Sequence, residues 1–235
     1  MITRRQFVDR GIQAAVAVGS MKPLQPVSAW AEPPSPELPI IDTHQHLWDL
    51  TKLRLSWLKD DDPLNRSFLP QDYREAAAGL GIVQAVYMEV HADVDFLSAE
   101  AEYVADLCRR GEVPTVAAVI GGRPGEESFG PYIRRFKDCP YVKGVRQLVR
   151  AGEEGRNPYR QEPFVKGIRL LGELGMLFDL CLPPGELPSA VELVDACPGT
   201  QFVLDHCGNA DPKWFLAEGD HDAADRWRRD LAALA

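Results

Sequence analysis

Two histidines spaced one residue apart, His44 and His46, are the side chains of this sequence best suited to act in one site. They follow Ile40-Ile41, and β-branched residues favour a strand. In a strand, residues two apart share a face, so both imidazoles would point the same way, together with Asp42. On a helix the two rings would lie about 200° apart and could not serve one site. The spacing predicts a strand with two imidazoles at its carboxyl end; two ordinary polar residues at a strand edge are the alternative.

Further polar side chains occur at later predicted strands. Glu89 and His91 share one face at the carboxyl end of the second strand and are candidates for binding a substrate, although His91 could equally be a surface-loop histidine. Asp179 lies within the apolar fifth strand, where a carboxylate is costly unless it is paired. We therefore expect Asp179 to contact the substrate or to orient an arginine or a histidine.

Arg146, near the carboxyl end of the fourth predicted strand, is the best candidate for holding an acidic substrate. A guanidinium binds a carboxylate through two parallel hydrogen bonds. The alternative is an ion pair with a neighbouring acid such as Asp179 or Glu89. The sequence is compatible with both interpretations.

Six apolar runs alternate with helical segments along the chain. The predicted strands are 40–46, 85–91, 115–120, 141–149, 176–182 and 201–206. Strict alternation predicts a parallel sheet, as in a (β/α) barrel or a doubly wound fold. The lack of G-x-G-x-x-G after any strand argues against the dinucleotide-binding form, and polar residues at strand ends favour the barrel. Because a barrel needs eight units and about 250 residues, we expect an α/β chain of the (β/α)8 TIM-barrel type, truncated at its C-terminus after about six units.

The composition excludes several classes of function. The 235 residues carry a formal net charge of −9, which argues against binding to nucleic acid or to an anionic membrane surface. No apolar run approaches the roughly 20 residues of a membrane span, so stable membrane insertion is not expected. A small acidic substrate remains compatible with this charge, because a local arginine can bind it.

The first 31 residues have the features of a twin-arginine export signal in the right order. Arg4-Arg5 precedes a mildly apolar stretch and a small-x-small cleavage site at Ala29-Trp30-Ala31. A short amphipathic helix is the alternative. We interpret 1–31 as the signal peptide, 32–39 as a proline-rich linker and 40–235 as the domain. This predicts an exported, periplasmic protein that engages the twin-arginine export machinery.

Five motifs together resemble one protein family. They are Asp42-Thr43-His44-Gln45-His46, Phe68-Leu69-Pro70, Lys143-Gly144-Val145-Arg146, Phe178-Asp179-Leu180 and Leu204-Asp205-His206-Cys207-Gly208. In this order they resemble the amidohydrolase-related (amidohydrolase 2) proteins, most closely the branch of sugar lactonases and dicarboxylate lactonases. The resemblance runs from about residue 39 to the last residue, and it implies a distorted TIM barrel.

The resemblance also implies a set of site residues. The family lines its barrel mouth with the His-x-His of strand 1, a histidine of a later strand and an aspartate after strand 8. The histidines correspond to His44, His46 and His206, and the aspartate would lie beyond Ala235. The three imidazoles would bind one divalent metal ion, zinc or manganese; a metal-free mechanism, in which they polarise a carbonyl, is the alternative. A second metal ion is not expected, because Lys143 would point away from the site and strand 5 carries no histidine.

The function implied by the resemblance is hydrolysis of a lactone or related cyclic ester of a sugar acid or dicarboxylate by attack of water. His206 and Arg146 would be catalytic, and Arg146 would also anchor an acidic group of this small substrate. A metal-dependent decarboxylase of the same superfamily and an exported binding protein without turnover are the alternatives. Because the late aspartate falls outside the sequence, we expect the chain by itself to lack part of that active site.

Overall fold

The structure is a computed structural model that describes residues 39–148 and 158–235. The predicted signal peptide, 1–31, lies outside the described residues, as does all of the predicted linker, 32–39, except its last residue. Within the described residues, no helix is both long and apolar enough to cross a membrane.

Six strands form one parallel sheet, in which every strand lies beside its neighbour in sequence. The strands are β1 (Ile40–Gln45), β2 (Ile82–Met88), β3 (Thr115–Gly121), β4 (Val142–Leu148), β5 (Leu177–Cys181) and β6 (Gln201–Leu204). This sequential order is that of a (β/α) barrel, in which each connection passes through a helix. The predicted parallel α/β sheet of the TIM-barrel type is confirmed.

Helices follow the strands in the expected alternation. They are α1 (Pro70–Ala76), α2 (Leu97–Arg110), α3 (Phe129–Arg134), α4 (Glu162–Glu173), α5 (Leu187–Ala196) and α6 (His221–Leu234). Local signals explain their ends: α4 has a proline in its first turn, and Gly111 ends α2 in the left-handed conformation with φ 63°. The core packs these helices against the sheet through residues such as Ile120, Ile168 and Phe178.

The sheet is strongly curled, as one side chain of β4 shows. Arg146 reaches acids at the carboxyl ends of both β2 and β6, with contacts of 2.8 and 3.2 Å. In a flat sheet those two strands would lie about 19 Å apart, because neighbouring strands are separated by about 4.8 Å. Only a sheet bent towards closure brings both ends to one guanidinium.

A long ordered loop after β1 covers the carboxyl edge of the sheet on one side. Trp48 forms an isolated antiparallel bridge with Phe68 across this loop, and their rings lie 4.7 Å apart. The indole of Trp57 donates to the carbonyl oxygen of Val90 at 2.9 Å, and Asp93 accepts from the Ser56 amide at 3.0 Å. These bonds tie the loop to the turn that follows β2.

Two strands end earlier than their sequence patterns indicate. β2 ends at Met88, so Glu89 and His91 lie in the following turn, where His91 has φ 55°. β6 ends at Leu204, and His206 has φ 51°. A left-handed residue breaks the extended backbone, so both histidines belong to turns and not to strands.

The first strand also departs from simple alternation. Asp42 accepts a hydrogen bond from the Tyr73 hydroxyl of α1 at 2.9 Å, whereas the ring of His44 lies against that of His206. The pairing of β1 with β2 shifts register between Asp42 and Gln45. This irregularity explains why Asp42 and His44 contact different groups although they are two residues apart.

Two glycines in helices give a test of the packing between α4 and the loop after β3. A Cβ atom at Gly167 would lie 2.2 Å from the Pro124 carbonyl oxygen, whereas one at Gly130 would lie 3.8 Å from Leu170. Alanine adds about 1 kcal/mol of helix propensity at either site, but at Gly167 overpacking of roughly 1–3 kcal/mol or more opposes it. We expect Gly167→Ala to lower the free energy of unfolding and Gly130→Ala to leave it unchanged or raised, as measured by urea denaturation. Equal stabilities of the two variants would refute this packing.

Candidate active site

The buried guanidinium of Arg146 lies at the centre of the candidate site. Its Nε donates to Oε1 of Glu89 at 2.8 Å, its Nη2 to the Glu89 carbonyl oxygen at 2.7 Å, and its Nη1 to Oδ2 of Asp205 at 3.2 Å. Arg146 is only 4% exposed, and both acids are buried as well. Nη1 also lies 3.4 Å from Nε2 of His44. Arg146 therefore has two acidic partners inside the protein, Glu89 and Asp205, and its predicted contact with a substrate would be additional to them.

Three histidines surround this ion pair. The ring centroid of His44 lies 4.5 Å from that of His206 and 4.9 Å from that of His46. Nδ1 of His46 lies 2.9 Å from the Met88 carbonyl oxygen. Because a carbonyl only accepts, Nδ1 carries the proton, and in the neutral ring Nε2 has the lone pair. The structure thus brings together the three histidines that the sequence predicts for one site.

A set of possible metal ligands differs in one member from the predicted set. His44, Asp205 and His206 each offer one ligand atom, and these atoms lie within 4.8 Å of one another. His46 is outside this set, although its ring is beside that of His44. Asp205 directs Oδ2 to Arg146, and its Oδ1 lies 4.0 Å from Nδ1 of His44. One carboxylate oxygen and the imidazoles are thus available to a cation.

The ionisation of the histidines suits a ligand role. Burial lowers the pKa of His44 to about 4, and the charge of Arg146 acts in the same direction, although Asp205 opposes it. Burial likewise lowers the pKa of His46, while its bond to Met88 raises it. His44 is therefore uncharged at neutral pH, and a neutral imidazole is the form that binds a metal ion or accepts a proton.

The turn that carries His206 is left-handed throughout. Residues His206 to Asn209 have φ between 51° and 69°, and only Gly208 among them adopts this region without steric cost. Surrounding bonds hold the turn: the Asn209 side chain donates to the Leu182 carbonyl oxygen at 2.9 Å, and the Trp227 indole donates to that of Cys207 at 2.8 Å. A conformation that is unfavourable in isolation and fixed from two sides is typical of a functional position.

The remaining predicted site residues lie around Arg146 or beside it. Glu89 is its main ion-pair partner, and the carboxylate of Glu89 also accepts from the His91 amide at 2.6 Å. Asp179 is paired in register with Arg146 on the adjacent strand and is buried, but its Oδ1 makes no hydrogen bond to any described residue. The predicted roles of Glu89, His91 and Asp179 in binding substrate stay predictions.

Two acids of the site were not predicted from the sequence. Asp205 directly follows β6 and precedes His206, a position at which polar residues enter the mouth of a barrel. Glu100 interrupts the apolar stripe of α2, between Leu97 and Val104, and is completely buried. A carboxylate on the buried face of an amphipathic helix is a signal that the sequence contained.

An open cleft of about 500 Å3 adjoins the turn after β2. Its walls include Trp57, His91 and Arg123, with Arg54 and Asp93, which pair with each other. Arg123 donates to the Gly122 carbonyl oxygen at 3.1 Å and makes no ion pair with an acid of residues 39–148 or 158–235. The cleft therefore presents an arginine whose charge is not neutralised within the described chain.

Replacement of Arg146 tests the central ion pair. Arg146→Met removes the cation and leaves the charges of Glu89 and Asp205 buried without it. We expect the free energy of unfolding to fall by about 3–5 kcal/mol, because an uncompensated buried charge is strongly destabilising. Arg169→Met is the control, since Arg169 is exposed, donates to the Ala196 carbonyl oxygen and pairs with no acid of the described residues, and it should change stability by about 0.5 kcal/mol or less. Equal denaturation midpoints for the two variants would contradict the assignment.

The protonation of Asp179 predicts a difference in pH dependence. Burial, and then the charge of Asp205, raise the pKa of Asp179 to about 7. Between about pH 4 and about pH 7 the folded chain holds a proton that the unfolded chain has released, so this contribution to stability falls as the pH rises. We compare the free energy of unfolding of the wild type with that of Asp179→Asn. The difference between the two should fall by roughly 4 kcal/mol across this window of about three pH units.

Urea denaturation at several pH values measures this difference. Subtracting the variant cancels the opposite contribution of His44, whose lowered pKa makes folding less favourable as the pH falls. A difference that stays constant with pH would show that Asp179 ionises normally in the folded chain.

Comparison with known proteins places this geometry in a family. A family model described as amidohydrolase matches residues 41–235. The uncharacterized protein y4mH of Sinorhizobium fredii (strain NBRC 101917 / NGR234) is 25% identical over 218 residues, which cover 85% of this chain and 70% of that protein.

Solved structures share the fold. An amidohydrolase from Burkholderia multivorans with bound zinc has a TM-score of 0.67 and 20% identity, over 84% of this chain and 66% of that one. A probable 2-pyrone-4,6-dicarboxylic acid hydrolase from Acinetobacter baumannii, with citric acid bound, has a TM-score of 0.60 and 16% identity. The match covers 84% of this chain and 67% of that one. At these identities the likeness establishes the fold, and the chain spans about two thirds of the length of these structures. Because the family model matches nearly the whole of the described chain, the protein belongs to the amidohydrolase family.

Proposed function

We propose that this amidohydrolase opens a lactone or related cyclic ester of a sugar acid or dicarboxylate by attack of water. One observation carries the proposal: His44, Asp205 and His206 converge at the carboxyl edge of a parallel sheet, beside a buried guanidinium. The uncharged imidazole of His44 and a fixed cation at such an edge are suited to activating water and to stabilising the charge that develops on a carbonyl oxygen.

Three residues would have different roles in this hydrolysis. His44, uncharged at neutral pH, has a lone pair for accepting a proton or binding a cation. His206 is exposed on its left-handed turn, where an incoming substrate would reach it. Arg146 holds Asp205 and Glu89 in fixed positions and adds positive charge to a buried region. This preorganisation is what lowers the cost of developing charge, because no group has to reorient during the reaction.

The donor set fits a single divalent metal ion. Two imidazole nitrogens and a carboxylate oxygen, held by His44, His206 and Asp205, are ligands that zinc prefers, and three protein ligands leave a position open for water. His46 has its Nδ1–H on a backbone carbonyl, as metal-binding histidines commonly do, so its Nε2 is a possible further ligand. When bound, such an ion would lower the pKa of water and polarise the ester carbonyl.

The cleft beside the site favours a substrate with an acidic substituent. Arg123 presents there a positive charge that no acid of the described residues neutralises, and Trp57 provides a flat apolar wall that its bond to Val90 holds in place. Since Arg146 already has two acidic partners, Arg123 is the better placed arginine for a substrate carboxylate. Two of the similar structures are named as a probable and a putative 2-pyrone-4,6-dicarboxylic acid hydrolase, from Acinetobacter baumannii and Pseudomonas putida, and these names agree with a cyclic ester that bears carboxylates.

Metal content and hydrolysis together test the proposal. We expect about one equivalent of zinc in protein that is dialysed against zinc and washed, and its loss in His44→Ala and His206→Ala, because each variant removes one of three ligands. His221→Ala is the matched control, since this histidine lies at the start of α6 and bonds to the Ala217 carbonyl oxygen. Hydrolysis of sugar lactones and of 2-pyrone-4,6-dicarboxylate is measured by titrating the acid that ring opening releases.

Other outcomes would point elsewhere. Hydrolysis without zinc would support the metal-free mechanism. Release of carbon dioxide from aromatic acids would show that the protein is a decarboxylase and not the proposed hydrolase. Binding of lactones without turnover would favour a binding protein. The proposed export to the periplasm rests only on sequence features of residues 1–31, namely Arg4-Arg5, the apolar stretch and the cleavage site at Ala29-Trp30-Ala31, and fractionation of expressing cells tests it.

A further inference from the structure

Glu100 is an unusual residue for an outer helix. It lies in the first turn of α2, where its neighbours on the same face are apolar, and none of its surface is exposed. A carboxyl group buried in this way is strongly disfavoured unless its partners compensate for lost water. Glu100 takes no direct part in the proposed chemistry, so the reason for burying a carboxyl group here must lie in its contacts.

Both contacts of Glu100 lead to the end of β2. Its Oε1 accepts from the Tyr87 hydroxyl at 2.8 Å and from the Val90 amide at 2.8 Å. The next amide along the chain, that of His91, donates to Oε2 of Glu89. Two successive amides of one turn are therefore held by two different carboxylates, one from α2 and one from Glu89 itself.

The second of these carboxylates belongs to the central ion pair. Oε1 of Glu89 accepts from Nε of Arg146, and the Glu89 carbonyl oxygen accepts from Nη2. The position of the 89–91 backbone therefore decides where both acceptors of Arg146 lie. Because Val90 directly follows Glu89, the hydrogen bond between the Val90 amide and Glu100 helps to fix the position of the Glu89 backbone.

The two carboxylates also converge on one glycine. A Cβ atom at Gly121 would lie 3.2 Å from Oε2 of Glu100, 3.5 Å from Oε2 of Glu89 and 2.7 Å from the Leu97 side chain. Oε2 of Glu100 makes no hydrogen bond to a described residue. Two acids thus share a closed space beside β3, while the nearby cation, Arg146, contacts only one of them.

We propose that Glu100 is a positioning residue, which holds the turn after β2 and thereby sets the Glu89 carboxylate and the Arg146 guanidinium of the active site. Its contribution to catalysis rests on the proposed function, whereas its coupling to Arg146 can be measured without a substrate. The hydrogen bond to Val90 is stronger when Glu100 is charged, because an ionised acceptor binds an amide more tightly than a neutral one. A change in the charge of Glu100 should therefore move Arg146.

The groups that face Glu100 make this change observable near neutral pH. Burial, and then the charge of Glu89, raise the pKa of Glu100 to about 7. Burial raises the pKa of Tyr87 and of Tyr132, from β2 and α3, well above this range, and Arg146 stays charged. Asp179 also has a raised pKa and faces Arg146, so the test is made in the Asp179→Asn variant.

The experiment follows two nitrogen-bound protons of the full chain by NMR: the Val90 amide and the Arg146 Nε–H, from about pH 5.5 to about pH 8.5. In Asp179→Asn we expect both signals to shift with a common midpoint near 7. Glu100→Gln, added to that variant, keeps an oxygen acceptor but cannot ionise, and both shifts should disappear. Tyr87→Phe is the matched control, because it removes one bond to Glu100 and keeps its carboxyl group, and both shifts should persist.

Two results would overturn the proposal. One is an Arg146 signal that stays constant in Asp179→Asn while the Val90 signal titrates, which would make Glu100 a structural residue only. This result needs no substitution at Glu100 and so does not depend on the folding of that variant. The other is an Arg146 shift that persists in the presence of Glu100→Gln.

Activity gives a second readout once a substrate is established. Glu100→Gln should lower kcat roughly tenfold, which is typical of residues that orient the groups of a site without contacting the substrate. KM should change little, and an inflection near pH 7 should be lost from the dependence of kcat on pH. If no lactone is hydrolysed, the proposed function is wrong, but the coupling between Glu100 and Arg146 that NMR measures would still stand.

Discussion

The contact between one buried arginine and two buried acids is the constraint on which the site depends. Arg146 of β4 reaches Glu89 after β2 and Asp205 after β6, which is possible only because the sheet curls. A guanidinium with five donors in a rigid plane can serve several acceptors at once, and an ammonium group could not do so with fixed directions. The ion pair thereby links the ends of three strands and places His44 beside Asp205.

The cluster around Arg146 holds more acidic side chains than basic ones. Glu89, Glu100, Asp179 and Asp205 are all buried near a single guanidinium, and the neighbouring His44 is neutral at pH 7. Burial raises the pKa of both Glu100 and Asp179 to about 7, so these two acids carry protons more readily than exposed carboxyls do. The site thus combines the contacts of Arg146 with Glu89 and Asp205 with two further acids whose pKa is raised, and titratable groups of this kind concentrate at functional sites.

Backbone conformation supplies the rest of the positioning. His91 and His206 both lie in left-handed turns that directly follow strands, and each turn is fixed by bonds from a different part of the fold. The turn after β2 is held by Glu100 of α2 and by Trp57 of the long first loop, and the turn after β6 by Asn209 and Trp227. The outer helices and the loop therefore do more than cover the sheet, because they hold the strand ends in conformations that isolated turns would not keep.

Local pattern was sufficient for much of this protein. The alternation of apolar runs and helical segments specified a parallel α/β sheet in the right order, since hydrophobic periodicity and glycine or proline ends act over a few residues. The motifs around His44 and His206 identified the family, and the pair His44 and His46 marked the mouth of the site. The sequence offered Glu89 as one possible partner of Arg146, which the structure bears out, but it did not decide between that pair and a substrate contact. It gave no indication of the part taken by Asp205 and Glu100. Arg146 lies 57 residues from Glu89 and 59 from Asp205, and such contacts depend on the curl of the whole sheet and not on any local preference.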